Sequence, residues 1–188
     1  SELGGAQTVV VQLANNLSKE HQVILAAGQG DGKIWDMVDD KVIRENCPHL
    51  QRSISLKNDL LAAIELRKLY NKYKPDIVHL NVGPLDLSLD ECIARGIPHI
   101  WHQREFQSGM KFWPSERKFR RKILRDGNWN IAITRCVADY WNLRACDEVI
   151  YDGVHMDNDQ KPVCNTDRYL LFVGRVERNK GLLELLKA

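Results

Sequence analysis

Gly4-GAQTVVVQLANNLSKEHQVILAA-Gly28 places a helix directly before a strand, and that order decides the fold class. Ala6, Val9, Val10, Leu13, Ala14 and Leu17 recur at i, i+3, i+4, i+7, i+8 and i+11, which predicts one continuous apolar helix face. Gln22–Gly28 is a short apolar run closed by glycine, the pattern of a buried strand.

Outward from this unit the alternation continues. A weaker strand lies near Val42–Ile43, and Asn58 or Asp59 is placed to cap the next helix. There Ala62, Leu66, Leu69, Tyr70 and Tyr73 share a face. Asp76–Asn81, Ile97–His102, Asn130–Thr134 and Glu148–Tyr151 read as further strands, with helices over Leu85–Ala94 and through Val137 and Trp141. Strands alternating with helices predict an α/β fold, a Rossmann-like parallel sheet with helices on both faces. Residues 1–152 form the first domain on this reading, a polar stretch over 153–168 is a linker, and 169–188 begin a second α/β unit.

That last stretch, Tyr169-LLFVGRVERNKGLLELLK-Ala188, reads as a strand to Val173, a loop flanked by Arg175 and Lys180, and a helix opened by Gly181. Two cations and unpaired helix N–H groups at the carboxyl end of a strand suit a phosphate group. A strand is expected before the Gly4-Gly5 turn and none is present. The chain is therefore expected to be truncated at both ends, with a central vacancy in its sheet. Tyr169–Val173 could fill that vacancy within one chain or by swapping into a dimer.

Composition narrows the rest. The 188 residues carry a net charge of +2, too little to imply nucleic acid by itself. No run of eighteen apolar residues and no leader-like start is present. Cys47, Cys92, Cys136, Cys146 and Cys164 form no CxxC pair, which argues for reduced thiols in a cytoplasmic setting and against a metal site.

Two further clusters stand out. His102-QREF-Phe106 follows a strand, so Arg104 and Glu105 are either cleft residues or an ordinary surface pair. His79 and His102 sit among apolar neighbours, where satisfied core histidines are commoner, although His102 adjoins the turn. Thr134 reads as a helix cap. Residues 111–125 hold seven Lys or Arg against one Glu, with Phe112, Trp113, Phe119, Ile123 and Leu124 interleaved. This suits peripheral contact with an anionic membrane, or a solvated helix with Phe119 and Ile123 in the core. No base-reading motif accompanies the charge, and no nucleic-acid partner is expected.

Six blocks in order resemble the bacterial family-four retaining glycosyltransferases of the two-domain GT-B fold. They are Gly4-GAQTVVVQLANNLSKEHQVILAAG, Lys74-PDIVHLN, Ile97-PHIWHQREF, Asn130-IAITRCVADY, Val149-IYDGV and Phe172-VGRVERNKG. Thr134 stands where Ser is usual, Asp152 where Asn is usual, and Arg104-Glu105 where many members carry His-Asp or His-Glu. The resemblance implies an acceptor-side domain with the start of a donor-side domain. It implies no cofactor or metal, a nucleotide-diphospho-sugar donor, and a carbohydrate or lipid-linked acceptor for surface polysaccharide or glycolipid. Gly4, Gly5, Arg175 and Lys180 would contact the donor diphosphate, and Arg104, Glu105 and His102 would line the catalytic side. A non-hydrolysing sugar-nucleotide epimerase and a non-catalytic module of the same fold are the rival readings.

Overall fold

The computed structural model describes residues 4–28, 32–51, 55–81, 86–106, 116–125, 128–153, 171–174, 176 and 180–187. The alternation is realised as α1 (Gly5–Leu17), β1 (Ile24–Ala27), β2 (Ile43–Asn46), α2 (Leu56–Tyr73), β3 (Val78–Asn81), α3 (Asp86–Arg95), β4 (His99–Gln103), α4 (Glu116–Ile123), β5 (Asn128–Ala132), α5 (Arg135–Trp141), β6 (Glu148–Val149) and α6 (Leu182–Leu185). All ladders are parallel, in the order β1-β2 and β3-β4-β5-β6. Among the described residues no ladder joins the two sheets.

Local chemistry sets the boundaries. Ser55, not Asn58 or Asp59, caps α2 by accepting from the Asn58 N–H, so that helix starts earlier than the sequence spacing suggests. It ends at Lys74, which adopts a left-handed conformation with φ 46° ahead of Pro75. Thr134 caps α5 by accepting from the Val137 N–H. Gly28 is required by packing: a Cβ there would lie 1.9 Å from the Leu50 carbonyl oxygen, as β1 runs close against that loop.

Alternation along the strands separates two faces. Leu80, Trp101 and Ala132 point to one side and pack with Ile123 of α4 and with Val137 and Trp141 of α5. A second cluster joins Val11 and Ala14 of α1 to Leu25, Ile34, Val38 and Val42. Leu66 and Tyr70 of α2 meet Cys92 of α3, where the Tyr70 hydroxyl lies 2.6 Å from Ser88 Oγ. The buried line on α1 is Val11 and Ala14, whereas Leu13 and Leu17 are exposed, so the predicted face is rotated by about one residue.

The chain divides into two compact units, 1–153 and 154–188. In the second, Leu171–Val173 form no strand, and Leu171 and Val173 are 75% and 84% exposed. The expected strand over Tyr169–Val173 is thus absent where it is described, and Tyr169 and Leu170 lie outside the described residues. Gly181 does open a helix, α6, from a left-handed conformation with φ 75°. An apolar pentapeptide has high strand propensity, but without a ladder partner its backbone gains nothing by extending. The proposed linker lies outside the described residues from Val154 onward.

Candidate functional site

β3 and β4 end side by side, with Asn81 in register with His102. Side chains of matched residues in parallel strands share a face, so His79, Asn81 and His102 lie opposite the Trp101 core. The chain then leaves β4 through Gln103 and Arg104. Polar residues at the carboxyl ends of parallel strands are where ligands bind in such sheets.

Arg104 organises this end. Its side chain is only 7% exposed. Nε donates to Asn81 Oδ1 at 2.7 Å, and Nη1 donates to Asp152 Oδ2 at 2.6 Å. Asn81 in turn reaches α1, its amide donating to the Ala6 carbonyl at 3.5 Å. One polar chain therefore runs from the first turn of α1 to Arg104 and on to Asp152. The start of α1 carries no side-chain cap on Gly4, which leaves its first N–H groups available to an acceptor.

The two histidines stack, with ring centroids 5.6 Å apart and planes at 18°. Among the described residues, both ring nitrogens of His102, Nε2 of His79 and Nη2 of Arg104 have no hydrogen-bond partner although buried. Burial and the nearby Arg104 charge hold His79 below the usual histidine range. The same two causes, with His79 added, bring His102 down to about 4, opposed by Asp152. Both rings are accordingly neutral near pH 7, each with one donor and one acceptor nitrogen. These are not the satisfied core histidines that their apolar neighbours suggest.

The turn after β4 is fixed from below. Trp141 Nε1 donates to the Glu105 carbonyl at 3.3 Å, and Phe106 meets Tyr140 edge-on at 5.1 Å. Arg120 of α4 lies over the rings of Tyr140 and Trp141 at 5.4 and 5.9 Å. Lys122 pairs with Asp90 at 2.8 Å, and Ile123 is fully buried. Part of the basic segment is thus engaged by the fold, as the solvated-helix reading has it. Arg121 and Arg125 are exposed; residues 107–115 lie outside the described residues.

Of the sequence-derived candidates, the structure brings His102 and Arg104 together and connects Arg104 through Asn81 to the helix that Gly4 and Gly5 open. Glu105 follows with its backbone held by Trp141. A Cβ on Gly5 would meet no atom within 4 Å, so packing does not demand glycine there. Lys180 is exposed in the second unit, and Arg175 lies outside the described residues. Asn81 and Asp152 were missed as site residues. Asn81 carried a readable signal, as the polar residue closing an apolar strand; Asp152 stood out only as a departure from the usual Asn, with nothing nearby to name its partner. No group of three or more His, Cys, Asp or Glu that could hold a metal occurs among the described residues.

The first unit is thus a Rossmann-like α/β fold of parallel strands and flanking helices, with a polar cluster at the carboxyl ends of β3 and β4. A solved structure of UDP-GlcNAc 2-epimerase from Neisseria meningitidis bound to UDP-GlcNAc has this architecture, with a TM-score of 0.52 at 15% identity over 79% of this chain and 43% of that one. Residues 3–158 match Glycosyltransferase Family 4, and the chain belongs to that family. It is 34% identical over 118 residues to the UDP-Gal:alpha-D-GlcNAc-diphosphoundecaprenol alpha-1,3-galactosyltransferase of Escherichia coli. The match covers 62% of this chain and 30% of that protein, so the chain spans about a third of the length of the curated relative.

Proposed function

We propose that this chain is the acceptor-side part of a glycosyltransferase, with the beginning of its donor-side unit. The enzyme would move a sugar from a nucleotide-diphospho-sugar to a hydroxyl, with retention at the anomeric carbon. The observation that carries the reading is Arg104, a buried guanidinium at the end of β4 with an unpartnered nitrogen beside two neutral histidines. Cleaving the anomeric C–O bond leaves negative charge on the departing diphosphate. Without a metal, fixed cations and N–H dipoles must meet that charge. Arg175, Lys180 and the uncapped start of α1 at Gly4-Gly5 are the groups assigned to it. His102, Arg104 and Glu105 are assigned to the sugar and the incoming hydroxyl.

The family match supports glycosyl transfer, and the Escherichia coli relative supports a lipid-linked acceptor of the diphosphoundecaprenol kind. We assign such an enzyme to surface polysaccharide or glycolipid synthesis at the cytoplasmic side of a membrane, with Arg121 and Arg125 among the cations of 111–125 facing anionic lipid. No described helix is long and apolar enough to cross a membrane. The test is the full-length protein with Arg175→Ala and Lys180→Ala together. Donor binding should fall by about a hundredfold or more; donor binding equal to the parent's contradicts the assignment.

A further inference from the structure

α2 is apolar on two sides. Ala62, Leu66 and Tyr70 recur at i, i+4 and i+8 and are buried. Leu56, Leu60 and Ile64 recur at the same spacing on the opposite side, where Leu56 and Leu60 are 89% and 65% exposed and Ile64 is exposed as well. Lys57, Lys68 and Asn71 are exposed on that outer side. Arg67 stands at its border and reaches Glu91 of α3 at 3.0 Å. The carboxylates of α2, Asp59 and Glu65, lie outside this stripe, and Glu65 turns to the His49 ring and backbone N–H. The helix therefore presents to solvent an apolar row rimmed by cations and free of carboxylates.

The neighbours of α2 fix which way that row faces. Arg95 of α3 donates to Asn71 Oδ1 at 2.8 Å, and Asp90 of α3 pairs with Lys122 of α4. Val78 packs against both the α2–α3 cluster and the α4–α5 cluster, so these helices share one side of the β3–β6 sheet. α4 and the exposed Arg121 and Arg125 belong to that side too. We infer that the outer face of α2 docks on an anionic bilayer, with Leu56, Leu60 and Ile64 entering the headgroup boundary while Lys57 and Lys68 pair with lipid phosphates. The inference rests on the proposed function only for bringing the enzyme to a lipid-linked acceptor. Charge complementarity decides the occupant. Aliphatic side chains add membrane affinity in proportion to the area they bury, and lysines lay their stems along the same boundary while their ammonium heads reach the phosphates. A second copy packed α2 against α2 would set these cations against their own kind, with no carboxylate between them.

The experiment compares the full-length parent with Leu56→Gln/Leu60→Gln and Lys57→Gln/Lys68→Gln. Each is co-sedimented with vesicles of phosphatidylcholine alone and of phosphatidylcholine mixed with phosphatidylserine. The parent should bind the mixed vesicles more tightly than the neutral ones. The leucine pair should weaken that binding by at least about thirtyfold, and the lysine pair by roughly thirtyfold on mixed vesicles with little change on neutral ones. Both variants should melt with the parent, because the four side chains stand in solvent. The inference is overturned if the parent binds no vesicles, or if either pair binds as the parent does. A clearly lower melting temperature for the leucine pair also overturns it, by placing the row inside the longer protein. So does a parent dimer that the leucine pair dissociates, read by sedimentation velocity, which would assign the face to a second copy. Sugar transfer to a water-soluble acceptor is followed in parallel and should be equal in parent and variants. Transfer with undiminished vesicle binding in the variants defeats only this inference. Vesicle binding lost in both variants, with no transfer by the parent, upholds it and defeats the glycosyltransferase reading.

Discussion

Arg104 Nη1 and Asp152 Oδ2 lie 2.6 Å apart, tying the turn after β4 to the last residues of the first compact unit. The pair is asymmetric. Arg104 is sealed from water, whereas the Asp152 side chain keeps 35% exposure. Removing the carboxylate strands a buried cation, while removing both partners leaves no buried charge and only the Asn81 Oδ1 acceptor without its donor.

Asp152→Ala alone should therefore destabilise the protein by about 3 kcal/mol, and Asp152→Ala combined with Arg104→Met by clearly less. Urea unfolding followed by fluorescence of the buried Trp101 and Trp141 reports both. A double variant less stable than the single one would remove the buried-pair argument.

Stability should fall with acid through His102. Its folded value is about 4 against an ordinary 6.5, so between those two pH values the unfolded chain binds the proton and the folded one does not. Stability from this group is complete above pH 6.5 and declines by roughly 1 kcal/mol per pH unit on the way down. His79 is shifted the same way and adds to the slope. His102→Asn should flatten the pH dependence of unfolding in that window; an unchanged slope contradicts the burial argument.

Gly5→Ala separates packing from ligand approach. The added methyl has open space, and alanine favours helix, so stability should rise by up to about 1 kcal/mol. Donor KM should rise at the same time if a diphosphate lies against the first turn of α1. Tighter or unchanged donor binding removes Gly5 from the site.

The basic segment makes its own prediction. Arg121 and Arg125 are exposed, and each cation near an anionic surface contributes about 1 kcal/mol. Changing both to Gln should weaken binding to phosphatidylserine vesicles by roughly thirtyfold without shifting the melting temperature. Vesicle binding unaffected by the pair assigns the segment to the solvated-helix reading.

Much of the fold was legible because its signals are local. The helix–strand alternation, the Thr134 cap and the strands closing at Asn81 and His102 follow from periodicity and turn chemistry within a few residues. Ser55 was overlooked as a cap because Asn58 and Asp59 offered equally good capping side chains nearer the apolar repeat. The tail failed for a different reason. Tyr169–Val173 has the composition of a buried strand, yet composition supplies no neighbour to pair with, and Leu171 and Val173 stay exposed. Half of the site was readable in the same local way. Asp152 was not, because its partner is 48 residues away and only the parallel order of β4, β5 and β6 brings the two together.

The most direct measurement is product formation by the full-length protein given a nucleotide-diphospho-sugar and a sugar-diphospho-lipid acceptor. Nucleoside diphosphate should appear in step with glycosylated acceptor, and Arg104→Gln should slow both by about a hundredfold or more. Interconversion of the sugar nucleotide with no acceptor modified, or an Arg104→Gln enzyme as fast as its parent, would contradict the account.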